Sequence, residues 1–378
     1  MKKNITYLMT SPYIYVYKQG EKTWTIVSYI HEKIFTLDLR DVELLKFCKR
    51  PHSVDEIKDY FPDTLVSKLI ARNLLVDTKT VWEQYCIKYV EIEINLHCNY
   101  HCRYCPNQYN NKMHKYMDMN LFDNLINQLA SLNTVEYVTF HGYNEPLLDI
   151  FFKKRIEVLE KNNIKLVLFT NASLMDKEIV SILKKTTILK LIKVNFPSLD
   201  EKRYIYMTGS NKFNDAKKNV DYAIQQQLPV QIICNGTDKD FKENLGELKS
   251  YFKDITVTQH TTNDRAGLLK NEYSMKYHFA KKLCGCSQVT NWLHVGVDGE
   301  VYLCYMDYYK KNILGHLCKS TLQDILSGRQ AIELRKTVSG YMQSDENWIC
   351  RHCFQNYISR VLMRNTKQIR PEVEDGLI

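Results

Sequence analysis

The sequence predicts an α/β protein built on a partial (β/α)6, TIM-like barrel, with an N-terminal winged-helix-like domain and a small C-terminal α+β domain. Three observations carry this. Over residues 86–265, short apolar runs alternate with amphipathic helical stretches, the pattern of right-handed βαβ units in a parallel sheet. Residues 1–85 place strand-like runs before three helical ones, and residues 266–378 are richer in cysteine with shorter elements. At 378 residues the chain is long enough for two or three domains and a sizeable core.

The N-terminal domain opens with "YIYVYKQGEKTWTIVSYIHEKIFTLD", Tyr-, Ile- and Val-rich runs broken by a turn-rich "KQGEK" suited to a hairpin. "RDVELLKFCK" follows as a helix. In "HSVDEIKDYF", Ser53 and Glu56 form an S-x-x-E capping box that starts a second helix. "DTLVSKLIARNLLVD" reads as a third helix running into an apolar strand.

In the barrel segment the strand-like runs are "YVEIEINL", "VEYVTFHG", "IKLVLFTN", "LIKVNF", "PVQIIC" and "DITVTQH". The helical ones between them are "LFDNLINQLASL", "FKKRIEVLEKNN", "DKEIVSILKK", "FNDAKKNVDYAIQQQ" and "FKENLGELKSYFK". Chemistry in such folds gathers where strands end, and Cys98 follows the first strand-like run. In the C-terminal part, "NWLHVGVDGEVYLC" reads as a hairpin turning at Asp298-Gly299. "STLQDILSGRQAIELRKTV" reads as one helix leading to "NWICRHCF", and the last dozen residues are polar.

Composition narrows the function classes. Hydrophobic residues at 44% and charged ones at 25% are ordinary for a globular protein. The formal charge of +9 is spread among interspersed acids and bases, without the basic stripe a nucleic acid requires. "MKKNITYLMTSPYIYV" lacks a continuous apolar core for a signal peptide, and no run has the length of a membrane span. The expected compartment is the cytoplasm, with no membrane or nucleic-acid partner. Twelve cysteines in that compartment point to metal or catalysis rather than disulfides.

Cys98, Cys102 and Cys105 stand in a C-x3-C-x2-C spacing. Three thiolates can hold three irons of a cubane cluster and leave the fourth open to another ligand. Zinc competes, but it usually takes four ligands, paired as C-x2-C. This spacing, with Tyr104 before its last cysteine, resembles the signature of radical S-adenosylmethionine (SAM) enzymes. "FHGYNEPLL" resembles the family's Gly-Gly-Glu-Pro segment, which holds the amino group of S-adenosylmethionine. Its positions here are Tyr143, Asn144, Glu145 and Pro146, so both glycines are replaced. "FTNAS" resembles the Thr-Asn-Gly turn, with Thr170 and Asn171 kept and Ala172 in the glycine place. Asn195 ends the fourth strand where relatives carry a polar side chain near the ribose or carboxylate. The resemblance implies a [4Fe–4S] cluster with S-adenosyl-L-methionine, reductively cleaved to a 5′-deoxyadenosyl radical that takes hydrogen from unactivated carbon.

Two further resemblances extend this. Cys286 and Cys304, with Gly299 in a G-x4-C arrangement, and Cys350-x2-Cys353 resemble the twitch domain, a shortened SPASM extension. It implies one auxiliary cluster, [4Fe–4S] in type; a structural zinc on two knuckles is the alternative. Cys284 competes with Cys286, and the twitch spacing favours Cys286. Residues 1–85 resemble the RiPP recognition element of peptide-modifying systems, which binds a leader peptide as an added strand beside a helix. A plain winged helix, structural or DNA-binding, is the alternative, and Asp55, Glu56 and Asp63 on its helices suit phosphates poorly.

The expected function is a radical SAM peptide maturase that installs a thioether or C–C cross-link in a ribosomally made precursor. Its expected partners are that peptide and an electron donor such as flavodoxin or ferredoxin. The alternatives are an epimerase with Cys234 or Cys284 as hydrogen donor, a twitch-type small-molecule dehydrogenase, and a zinc-containing DNA-binding regulator. The remaining cysteines, Cys48, Cys86 and Cys318, read as structural, and histidines 97, 101, 141, 260 and 352 as packed or hydrogen-bonded side chains.

Overall fold

A computed structural model describes residues 6–18, 22–109, 114–236, 238–270 and 283–353. The centre of the "KQGEK" turn and everything after Cys353, including the polar tail, lie outside them. Two compact units emerge, one from Met1–Cys86, His278–Asn291 and Leu326–Ile378, the other from Ile87–Tyr277 and Trp292–Ile325. The C-terminal segment from 266 is thus shared between the units. Among the described residues, no helix is long and apolar enough to cross a membrane.

The first unit begins with strand β1 (Tyr7–Thr10), then the antiparallel meander β2 (Ile14–Lys18), β3 (Trp24–Ser28) and β4 (Lys33–Leu37). Helix α1 (Leu39–Phe47), the short β5 (His52–Ser53), α2 (Val54–Tyr60), α3 (Asp63–Ala71) and β6 (Leu75–Asp77) complete its N-terminal part. β1 lies between β5 and β6. The Ser53 hydroxyl accepts the Glu56 amide at 3.2 Å, and the Glu56 carboxylate accepts the Ser53 amide at 2.7 Å. Two donors of the first turn are thereby satisfied, as the S-x-x-E spacing predicts. Asp38 and Asp41 build the same box on α1, and buried Asp41 pairs with Lys68 of α3 at 2.5 Å.

A second cluster in this unit joins Tyr13, Tyr29, Ile30 and Trp82 to Cys284, with Ile332 and Tyr341 against it. The helix read over 320–338 is two, α10 (Leu322–Ser327) and α11 (Arg329–Val338), separated at Gly328. Arg335 of α11 is fully buried and donates to the carbonyls of Trp82 at 3.0 Å, Leu326 at 2.8 Å and Val289 at 3.2 Å. Gly285 has φ +90°, and a Cβ there would stand 2.6 Å from the Tyr29 hydroxyl. Close approach explains the glycine in "CGC".

The second unit holds a nine-stranded sheet. Six parallel strands form its barrel part: β7 (Tyr89–Ile92), β8 (Tyr137–Phe140), β9 (Leu166–Thr170), β10 (Leu189–Asn195), β11 (Val230–Gly236) and β12 (Thr256–Thr261). Their apolar residues, such as Val90, Val138, Leu168, Val194 and Ile232, are buried because helices cover the sheet. These helices are α4 (Met119–Ser131), α5 (Phe152–Lys161), α6 (Lys177–Lys185), α7 (Glu201–Thr208), α8 (Phe213–Gln225) and α9 (Asp238–Tyr251). The predicted hairpin is β13 (Trp292–Val295) and β14 (Glu300–Tyr302), and Gly299 turns it at φ +80°. β13 runs parallel to β7, and β15 (Ile313–His316) closes that edge, so the hairpin continues the barrel sheet.

Candidate active site

Past the C-terminal ends of the parallel strands lies a cavity of about 500 Å³, within the usual size of a small-molecule site. Its wall includes Cys98, Cys102, Tyr104, Cys105, Tyr143, Asn144, Glu145, Thr170, Asn171 and Asn195. Pro146 is absent from the wall; it is buried at the start of a 3-10 turn, Pro146–Leu148, that Glu145 caps.

The cysteine loop is held by backbone rather than by strand. β7 stops at Ile92, and Asn95, six residues later than Tyr89, makes only an isolated bridge to Tyr116. Asn95 Nδ2 donates to the Glu145 carbonyl at 3.1 Å, and the Glu145 amide donates to the His97 carbonyl at 2.6 Å. On the other side, the His101 and Arg103 amides each donate at 3.0 Å to Thr208 and Met207, the end of α7. Gly209 ends that helix at φ +64°, where a Cβ would meet the His101 carbonyl oxygen at 2.8 Å.

Burial, and then Cys105 and Cys98 beside it, push the Cys102 thiol well above its ordinary range. Such a thiol ionises when a cation takes it as a ligand. Among the described residues no three His, Cys, Asp or Glu converge closely enough for a single metal ion. A cubane takes its thiolates on separate irons, so three thiols spread along one wall fit it.

Glu145 is 2% exposed, and its carboxylate is fully engaged. It accepts the Thr170 hydroxyl at 2.7 Å, the Asn171 amide at 2.7 Å and the Leu147 amide at 3.2 Å. The three motif residues therefore bind one another and join the loops after β8 and β9. Asn171 Nδ2 donates to Asn99 Oδ1 at 2.8 Å, Asn99 Nδ2 to Ser173 Oγ at 2.9 Å, and Ser173 Oγ to Asn171 Oδ1 at 2.7 Å. This ring fastens the residue after Cys98 to the β9 loop. Ala172 takes the left-handed conformation of the glycine it replaces, φ +61°.

A second row crosses three strand ends. Asn195 Nδ2 donates to the Tyr104 hydroxyl at 2.7 Å, Asn235 Nδ2 donates to Asn195 Oδ1, and His260 Nδ1 meets Asn235 Oδ1 at 2.7 Å. Burial first, and then Arg265, His141 and Lys193, push His260 down to about 4, so the ring is neutral with its proton on Nδ1. Asn99, Ser173, Gly209, Asn235 and His260 carry no motif signal. Asn99 and Ser173 lie past β7 and β9, Asn235 and His260 one residue inside the ends of β11 and β12, and Gly209 at the end of α7.

Tyr143 and Asn144, in the glycine places, go different ways. The Tyr143 hydroxyl donates to the Tyr305 carbonyl at 2.5 Å, and its ring meets Tyr308 edge-on at 4.8 Å. Asn144 has both side-chain polar atoms buried without a partner. An amide left unsatisfied beside the thiols is a fit for the polar head of a cosubstrate.

The structure corrects the hydrogen-donor reading of Cys234. Gln231, Ile233 and Asn235 of β11 line the cavity, so Cys234 points to the opposite face, fully buried with its thiol 3.7 Å from the Pro197 carbonyl. Cys284 packs in the aromatic cluster of the first unit. Cys286, Cys350 and Cys353 belong to the first unit and Cys304 to the second. Burial first, then Cys353 beside it, push the Cys286 thiol up to about 12.

Comparison with known proteins agrees with this architecture. Residues 92–255 match the Radical SAM superfamily and residues 284–354 the SPASM iron-sulfur cluster-binding domain. The S-adenosyl-L-methionine-dependent 2-deoxy-scyllo-inosamine dehydrogenase of Niallia circulans is 24% identical over 70% of this chain and 91% of its own. The Streptococcus suis SuiB structure bound to precursor peptide SuiA superposes with TM-score 0.60 at 14% identity, covering 98% of this chain and 99% of SuiB. The BtrN structure in complex with AdoMet and 2-DOIA superposes with TM-score 0.51 at 20% identity, covering 72% of this chain and 94% of BtrN.

Proposed function

We propose that this chain, an enzyme with a radical SAM domain over residues 92–255 and a SPASM-type iron–sulfur domain over 284–354, is a peptide maturase. It joins two side chains of a ribosomally made precursor by a thioether or carbon–carbon bond. The observation that carries the peptide reading is the likeness to SuiB over nearly the whole of both chains, whereas the likeness to BtrN leaves more than a quarter of this chain unmatched.

Cys98, Cys102 and Cys105 hold the radical-generating cluster, and the cysteines of the SPASM-type segment, residues 284–354, serve the auxiliary one. Bound there with S-adenosyl-L-methionine, these groups supply a hydrogen-abstracting 5′-deoxyadenosyl radical and an electron acceptor. The protein's part is aim and exclusion of water. Asn144 offers an unpaired amide to the cosubstrate. The Glu145–Thr170–Asn171 clamp fixes the loops around it, and the Tyr104–Asn195–Asn235–His260 row holds the far side. Such preset polar groups lower the cost of reorganisation during reaction. Edge strand β4, which among the described residues pairs only with β3, offers backbone groups of its outer edge to a leader peptide. Reduction comes from a flavodoxin or ferredoxin.

A cross-link removes two hydrogens, so the modified peptide is about 2 Da lighter. Reconstituted enzyme, strong reductant and candidate precursor peptides from any short reading frames beside its gene, incubated without oxygen, test this. Release of 5′-deoxyadenosine with that mass loss supports the proposal. A mass unchanged in ordinary water but about 1 Da heavier in heavy water indicates epimerisation, and turnover of an aminocyclitol alcohol without peptide indicates the dehydrogenase, which the Niallia circulans relative favours.

A further inference from the structure

The cavity also carries two cationic side chains that belong neither to the Glu145 clamp nor to the Tyr104–His260 row. Lys193 of β10, Arg265 beyond β12, and His141 beyond β8 line the cavity together with His260. Lys193 Nζ lies 5.0 Å from the centre of the Phe169 ring, and the Arg265 guanidinium lies 5.7 and 5.6 Å from the rings of Tyr143 and Tyr305. Among the described residues neither cation has a carboxylate at ion-pairing distance, and Arg265 Nε is buried without a hydrogen-bond partner.

The two acids of the wall are already engaged. Glu91 Oε2 meets His294 Nδ1 at 3.0 Å, and its Oε1 lies 3.6 Å from His141. Glu145 is held by Thr170 and Asn171. Burial pulls the Lys193 ammonium below its ordinary range. Glu91 acts on Arg265 from beyond ion-pairing distance, whereas half-buried Lys193 has no such partner and is costly to hold; a planar guanidinium with a free edge matches a carboxylate.

We propose that Lys193 and Arg265 form a carboxylate subsite that seats an acidic side chain of the substrate peptide next to the reacting carbon. This rests on the peptide reading and adds to it a substrate class: a core sequence with Asp or Glu beside the modified residue. The cosubstrate also has a carboxylate, so the test separates the two sources.

Cluster-loaded enzyme with S-adenosyl-L-methionine present is titrated with N-acetyl-glutamate α-amide and with its neutral glutamine counterpart, binding being followed by ligand-observed NMR. The acidic probe is expected to bind about tenfold tighter. Lys193→Gln and Arg265→Gln each abolish the preference, Lys193→Arg keeps it, and cosubstrate affinity by equilibrium dialysis changes less than about threefold throughout. Equal binding of both probes, or binding of neither, overturns the proposal. So does a roughly tenfold loss of cosubstrate affinity in the Gln variants, which assigns the cations to the cosubstrate instead. Failure of the peptide reading has another signature: the probe preference persists while no encoded peptide is changed.

Discussion

Glu145 and Thr170 meet at 2.7 Å, carboxylate to hydroxyl, across the mouths of two adjacent strands. Burial raises this carboxyl to about 7 from the ordinary value of about 4.5, against the lowering effect of donors from Asn171, Thr170 and Leu147. Between those values the folded state keeps a proton that the unfolded chain has released. The contribution of Glu145 to the stability of the cluster-free protein is therefore full below about 4.5 and is lost as pH climbs to about 7, by on the order of 3 kcal/mol. Glu145→Gln removes this slope. Urea midpoints across that range check it, and parallel curves for the two proteins would refute it.

Gly209→Ala forces a side chain against the His101 carbonyl and strains a left-handed residue, a cost of about 1–2 kcal/mol before the clash. The loop bearing Cys102 must shift. Iron and sulfide per chain after reconstitution are expected to fall, with loss of the brown absorbance, while circular dichroism stays near wild type.

Ala172 reaches its φ of +61° without the glycine its place calls for. Ala172→Gly is expected to hold or raise stability by up to about 1 kcal/mol. Ala172→Val, β-branched at the same angle, loses at least about 2 kcal/mol. Thermal midpoints of the pair decide this, and a stable valine variant contradicts it.

Cys234→Ala leaves turnover and solvent-deuterium incorporation unchanged, because the thiol faces away from the cavity. Its cost is stability alone, about 1 kcal/mol for a small buried side chain. Loss of turnover in a folded Cys234→Ala variant would reverse that conclusion.

Arg335→Met leaves the Trp82, Leu326 and Val289 carbonyls without their donor. Each unsatisfied group costs about 1–3 kcal/mol. Chemical unfolding is expected to show a large loss confined to the first unit, and limited proteolysis to cut within residues 1–86 first.

The barrel was legible because its strands are apolar runs between amphipathic helices, and the capping box at Ser53 and Glu56 stands where its spacing puts it. α7 escaped because "EKRYIYMT" mixes aromatic and polar residues without a clean period. The break at Gly328 escaped because the apolar period continues across it. At the site, spacing and motifs single out Cys98, Cys102, Cys105, Glu145 and Thr170, and all five line the one cavity. That Glu145 turns inward upon Thr170 and Asn171 was not legible, since a motif gives identity and not partners. Asn235, His260, Lys193 and Arg265 come together only through strand register, which one sequence does not print.

The first unit is assembled from three separated stretches of chain. Its inner cluster, from Leu8 to Leu75, needs only the opening stretch. Its outer cluster waits for Cys284, Ile332 and Tyr341. During synthesis the rings of Tyr13, Tyr29 and Trp82 therefore cannot complete their packing until residues 284–341 have been made.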